Sequence, residues 1–234
     1  IPACLGGLLK LEDLELFSTA LTGTIPEALF CNPSPEFKYL YLNDNHLQGT
    51  VPAVCQGGLP KLEFLGLADN HYTGTISPTL CTLKSLEILY LYRNLFTGSL
   101  PPCLGELLNI EDLEIDQNKF TGGNRTVLAV SRVQKRARMI FLAHACAPSS
   151  CFLHQAANKF MQFEKIGYLY AYQNRFHGSI DPCFASSFPL LSSLLLHDNE
   201  LRGPLPSNWN LPSLVTFTVS NNANIHGSLP SSLF

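Results

Sequence analysis

The side chains with the most chemical potential are tyrosines and carboxylates set two residues apart. Tyr39 and Tyr41, Tyr90 and Tyr92, and Tyr168, Tyr170 and Tyr172 are seven of the eight tyrosines, and Asp112, Glu114 and Asp116 follow the same alternation. In an extended strand that spacing puts each set on one face. Phe64, Arg93 and His197 fall at or beside corresponding positions in neighbouring segments. A face of this kind suits binding, because a tyrosine ring offers a rigid apolar surface with one polar tip and little entropy to lose. Three carboxylates on one strand also raise glycoside hydrolysis or a divalent cation. On an open strand ladder they are expected instead to form a solvated acidic patch. The seven histidines are scattered, and none stands with a serine and an acid in the arrangement a triad requires. No catalytic residue, metal or cofactor is expected.

These positions depend on a repeat. LEILYLYRNLFTGSLP, from Leu86, has the form L-x-x-L-x-L-x-x-N-x-F-x-G-x-L-P, and variants of it start at Leu11, Phe37, Leu62, Ile110, Ile166, Leu191 and Leu214. The gaps between those starts are 26, 25, 24, 24, 56, 25 and 23 residues, the spacing of a solenoid of the leucine-rich type. The last two apolar residues of L-x-x-L-x-L point into a core, and the residues flanking them point to the opposite face of a short strand. Asn45, Asn70, Asn94, Asn118, Asn174, Asn199 and Asn222 follow in register. Seven in line predict a polar spine whose amides satisfy backbone groups that no helix or ladder supplies. Thr19 takes this place in the first copy, which predicts a less regular first coil.

The segments after the Asn, L-T-G-T-I-P, T-G-S-L-P and H-G-S-L-P, resemble the plant-specific class of leucine-rich repeat found in receptor-like kinase ectodomains, receptor-like proteins and polygalacturonase-inhibiting proteins. The resemblance implies an α/β solenoid, a right-handed superhelix with a parallel concave sheet. Second short strands follow the Asn turn, and short helical or 3-10 turns lie on the convex side. The tyrosine-bearing face is then the concave one. The glycines from Gly23 to Gly227 that close each L-x-G element would serve the second strand, since Gly adopts backbone angles other residues resist.

One domain over residues 1–234 is expected, with eight clear repeats and a degenerate ninth. Residues 123–165 break the period. Laying Met139, Leu142 and His144 on the strand pattern gives spacings of 29 and 27, hence the ninth coil; the alternative is an island that leaves the sheet unbroken. Both terminal caps look absent, so the chain reads as part of something longer. Arg132, Lys135, Arg136 and Arg138 cluster in the irregular stretch, but no aromatics interleave them and the net charge is −3, so no nucleic-acid partner is expected. No apolar run approaches the length of a membrane span. Asn124-Arg-Thr126 is an N-glycosylation pattern.

Six of the eight cysteines, Cys4, Cys31, Cys55, Cys81, Cys103 and Cys183, recur on the convex side, close enough from coil to coil to be bridged or, alternatively, buried as thiols. Cys146 and Cys151 are the better candidates for a local bridge, and no pair has the C-x-x-C spacing of a zinc site. Even cysteine count, sequon and resemblance together favour a secreted or cell-surface setting. The function expected is a recognition scaffold binding a protein, peptide or glycan on its concave face. A structural block that self-associates through the solenoid ends into a filament or matrix is the alternative.

Overall fold

The computed structural model describes residues 1–31, 33–122, 165–180, 184, 188–207 and 209–227. Each L-x-x-L-x-L segment contributes one three-residue strand: β1 (Asp13–Glu15), β3 (Tyr39–Tyr41), β5 (Phe64–Gly66), β7 (Ile88–Tyr90), β9 (Asp112–Glu114), β11 (Tyr168–Tyr170), β13 (Ser193–Leu195) and β15 (Thr216–Thr218). They pair in chain order as one parallel sheet, the concave one. The segment after each Asn gives a second strand: β2 (Thr22–Gly23), β4 (His46–Gly49), β6 (His71–Gly74), β8 (Leu95–Gly98), β10 (Lys119–Gly122), β12 (Arg175–Gly178), β14 (Glu200–Pro204) and β16 (Asn224–His226). These form a second parallel ladder in the same order. Short turns close the coils, a one-turn helix α1 (Ala28–Cys31) and 3-10 turns at Ala3–Gly7, Pro78–Thr82 and Pro102–Glu106.

The core lies between the two ladders. Leu40, Leu65, Leu89, Leu169 and Leu194 form one fully buried column, and Tyr72, Phe96, Phe120 and Phe176 form another. Rings of the second column stack nearly parallel, with centroids 6.1, 5.8 and 6.5 Å apart.

The asparagine spine is present, and its bonds run between coils. Asn94 Nδ2 donates to the carbonyl of Leu67 in the preceding coil at 2.9 Å and to those of Leu91 and Tyr92 in its own. Its Oδ1 accepts the Tyr72 N–H at 2.9 Å. Asn70, Asn118, Asn174, Asn199 and Asn222 repeat this pattern. Thr19 keeps one of those bonds, from Oγ1 to the Leu16 carbonyl. The first coil also bends at both Ser18 and Ala20, where later coils use one left-handed residue beside the spine. That residue directly precedes each Asn: Asp44, Asp69, Arg93, Gln117, Gln173, Asp198 and Asn221 have φ between 49° and 55°. The turn is imposed by the spine, since four of the seven are Asp or Asn, which tolerate it, while Arg and Gln accept it at a cost.

In the second ladder Gly49, Gly74 and Gly98 each have two duties. Gly98 has φ 71°, and a Cβ there would stand 2.7 Å from Thr75 Cγ2 of the preceding coil. Gly74 and Gly49 meet Thr50 and Thr24 in the same way.

Two disulfides, Cys31–Cys55 and Cys81–Cys103, staple adjacent coils, with Cα separations of 4.7 and 5.8 Å. For these four cysteines the bridge is the outcome, not the buried thiol. Cys4 is free and exposed.

Strand β11 pairs directly with β9, Tyr168 opposite Asp112, and β12 pairs with β10. Asn174 completes the join by accepting the Phe120 N–H and donating to the Ile115 carbonyl. Met139, Leu142, His144, Asn124, Cys146, Cys151 and the basic run at Arg132–Arg138 lie outside the described residues.

Because Asn94 satisfies four backbone groups in a buried site, its replacement by Ala should cost about 3 kcal/mol or more. Asn94→Asp, which keeps the acceptor but turns a carboxylate oxygen toward three carbonyls, should be at least as damaging. Urea unfolding of both variants measures this, and a loss below about 1 kcal/mol for Asn94→Ala would show that the spine is dispensable.

Candidate functional site

Register fixes what stands beside what on the concave sheet. Asp112 and Glu114 lie opposite Ile88 and Tyr90 on one side and Tyr168 and Tyr170 on the other. With Asp116 they make an acidic row between two tyrosine-bearing coils. Phe17, Tyr41, Phe64, Tyr90 and Tyr92 form a continuous aromatic run on the amino-terminal side of that row. Tyr41 stacks on Phe64 with centroids 4.2 Å apart, and Phe64 meets Tyr90 edge-on at 5.4 Å. On the other side, Tyr172 stacks on His197 at 4.4 Å, and His197 Nδ1 is 2.8 Å from Thr218 Oγ1.

Several rings are held by the next coil. Tyr39 donates its hydroxyl to Glu63 Oε2 and Tyr90 donates to Asp112 Oδ2, each at 2.8 Å. Gln117 Nε2 reaches Asp116 Oδ2 at 3.1 Å and the Tyr172 hydroxyl at 3.3 Å. Tyr168 is the most open of the seven, at 49% exposure. Tyr39, Tyr41, Tyr90, Tyr92, Tyr170 and Tyr172 are half-buried.

Three positions depart from the sequence reading. Phe64 is buried between Tyr41 and Tyr90 and so braces the face more than it meets a ligand. Asp116 is 2% exposed. Arg93 sits at the rim, pairing with Asp69 at 3.3 Å and donating from Nε to Gln117 Oε1 at 3.2 Å.

The acidic row is therefore not a solvated patch. Asp112 and Glu114 are half-buried and Asp116 is buried, because neighbouring rings close over the strand. Burial pushes Glu114 up to about 7, and repulsion from Asp112 and Asp116 adds to it. Burial also raises Asp112, against the Tyr90 hydroxyl bond, and raises Asp116, against its bonds from Gln117 and Tyr172. Tyr90 is raised by its own burial and then by Asp112. Asp112 Oδ1 is buried with no hydrogen-bond partner. Among the described residues no Lys or Arg forms an ion pair with these three carboxyls, so the chemistry the row favours is the holding of a cation or of a hydrogen-bond donor.

Sequence reasoning missed Gly66 and Asn43. Asn43 Oδ1 accepts the Ala68 N–H at 2.8 Å, and a Cβ on Gly66 would stand 2.5 Å from Asn43 Nδ2. Gly66 thus lets Asn43 lie flat beside the aromatic run. Its only signal in the sequence is a glycine within a strand pattern.

Repeat, paired ladders and asparagine spine define a leucine-rich repeat fold. A family model described as Leucine Rich Repeat matches residues 85–107. The leucine-rich repeat receptor protein kinase MSP1 of Oryza sativa subsp. japonica is 42% identical over 59 residues, which is 25% of this chain and 4% of that protein. Among solved structures, the ectodomain of the Arabidopsis receptor kinase HAESA, in complex with an N-terminally extended IDA peptide hormone ligand, is 27% identical, covering 100% of this chain and 33% of that one, TM-score 0.76. A plant ice-binding protein is 28% identical, covering 99% of this chain and 70% of that one, TM-score 0.64. The chain is a leucine-rich repeat solenoid with the fold of plant receptor kinase ectodomains, and it spans about a third of the HAESA ectodomain.

Glu114 binds its proton more tightly in the folded chain than in the unfolded one, so the folded state carries more protons between about pH 4.5 and about pH 7. Stability should fall as pH rises through that window. Glu114→Gln should flatten this slope and gain stability at pH 8 relative to the parent, read by thermal unfolding across the pH range; an unchanged slope would place the carboxyl in water.

Proposed function

We propose that the chain is the recognition part of a secreted or cell-surface receptor-like protein, and that its concave sheet takes a peptide or protein ligand. The observation that carries this is the face itself. Half-buried tyrosine rings, two of them anchored by carboxylates of the following coil, present a rigid aromatic surface with the exposed Tyr168 beside the half-buried Tyr170. Rigid rings lose little entropy on binding, so contact area converts into affinity efficiently. The peptide complex of the structurally similar HAESA ectodomain supports a peptide over a glycan. Replacing Tyr168 and Tyr170 together by Ala should weaken a ligand selected from a peptide display library at least about tenfold, the scale of a binding hot spot. Unchanged affinity with an intact fold, in surface plasmon resonance and circular dichroism, would remove the assignment.

A second reading has its own observation. Thr24, Thr50 and Thr75 are exposed in one column beside the second ladder, and Thr73 and Thr97 are exposed in another, so hydroxyls and methyls repeat from coil to coil at about 4.8 Å. A flat periodic face of that kind suits adhesion to ordered water, and the similar plant ice-binding protein supports it. Thr50→Lys with Thr75→Lys should then abolish inhibition of ice recrystallisation. A parent chain without that activity would dismiss this reading.

A further inference from the structure

Charge is distributed very unevenly between the concave face and the rest of the chain. Each concave strand, taken with one residue before it and three after, makes a window: 12–18, 38–44, 63–69, 87–93, 111–117, 167–173, 192–198 and 215–221. These windows hold twelve of the 18 carboxylates but two of the 15 lysines and arginines, Lys38 and Arg93, a formal balance of −10. The described residues outside these windows, with four carboxylates and seven lysines and arginines, stand at +3.

Little of that charge is neutralised within the face. Arg93 offsets Asp69, and Lys165 reaches Glu111 from just outside its window at 3.6 Å. Among the described residues no other Lys or Arg forms an ion pair with a carboxylate in these windows. The carboxylates are interleaved with ring faces: Glu114 lies between Tyr90 and Tyr170, and Asp112 between Ile88 and Tyr168. Rings flanked by carboxylates are the environment in which a guanidinium or ammonium is best held. The ring face attracts the cation, and the carboxylate accepts its hydrogen bonds. Glu114, half-buried between Tyr90 and Tyr170, is one acceptor already in place.

We infer that the occupant of the concave face is a basic peptide segment, with Arg or Lys side chains seated between the tyrosine coils over the row Asp112–Glu114. This rests on the concave-face reading above and adds the chemistry of the ligand. Facing carboxylates would repel an acidic peptide along most of the sheet, whereas a basic one is steered to it from solution.

The test uses the full chain with fluorescein-labelled nona-arginine and nona-glutamate peptides, read by anisotropy. Nona-arginine should bind and nona-glutamate should not, and raising NaCl from about 50 mM to about 300 mM should weaken binding at least about tenfold. The triple change Glu87→Gln, Glu111→Gln and Glu114→Gln should weaken it at least about fivefold, and Tyr168→Ala with Tyr170→Ala at least about threefold. Glu200→Gln, on the second ladder, should leave binding unchanged; circular dichroism and thermal unfolding establish that each variant is folded.

Equal binding of the two peptides, calcium binding without preference for nona-arginine, or insensitivity to the triple change would overturn the inference. Sensitivity to charge with none to the tyrosine pair would overturn it too, since the occupant would then be diffuse counterions. If nona-arginine fails while neutral or acidic peptides selected by display are lost on mutating Tyr168 and Tyr170, the concave-face reading stands and the basic ligand falls. If no selected peptide depends on that tyrosine pair, both fall.

Discussion

Every coil must turn from the concave strand to the second ladder inside an apolar core, and at that corner the backbone has donors and acceptors that neither sheet can pair. One asparagine per coil meets this constraint. An amide presents both a donor group and an acceptor at one point, so Asn94 can serve the Tyr72 N–H and the Leu67 carbonyl at once. A carboxylate or a hydrocarbon could meet only part of the demand. Since one partner of each bond belongs to the preceding coil, the spine also sets the distance and phase between neighbours. The left-handed residue before each Asn and the fixed length of the strands follow from that phase.

A backbone satisfied from within leaves the concave surface free to vary. In the flanking positions of the strands the side chains answer to each other and to solvent, not to the core. That is why one coil can carry Asp112, Glu114 and Asp116 where its neighbours carry tyrosines, with no change in register. The hydroxyl bonds from Tyr39 to Glu63 and from Tyr90 to Asp112 cross coils on this outer layer as the asparagines do on the inner one. They fix ring orientation in advance, so the face has less freedom to lose when it is covered.

The periodic features were legible because a repeat multiplies a weak signal. A single Asn after a strand is a turn residue, whereas seven in register require a shared environment. The second ladder and its glycines came with the family resemblance, whereas the alternation within each copy placed seven tyrosines on one face. Where the period failed, the reading stayed open. The 56-residue gap admitted both an added coil and an excursion, and the pairing of Tyr168 with Asp112 across it is a long-range fact with no local signature. Burial of Asp116 and Phe64 was hidden for a related reason. Alternation tells which face a side chain leaves from, but not whether a neighbouring ring folds over it. The cysteine pairs were within reach of the spacing argument, yet spacing alone did not choose a bridge over a thiol.

The acidic row is also where the fold works against itself. Three carboxyl groups on alternate residues of one strand repel each other, and the rings on either side exclude the water that would screen them. A chain selected for stability alone would place neutral residues there, as the coil of Phe64, Gly66 and Ala68 does two strands away. A proton on Glu114 relieves part of the strain at low pH, and at higher pH only an external positive charge can do so without disturbing the strand. Retaining the row is thus intelligible if the face spends its working life covered. The residual field of an unfilled site is what a ligand of opposite charge removes, and the same field costs the empty protein stability.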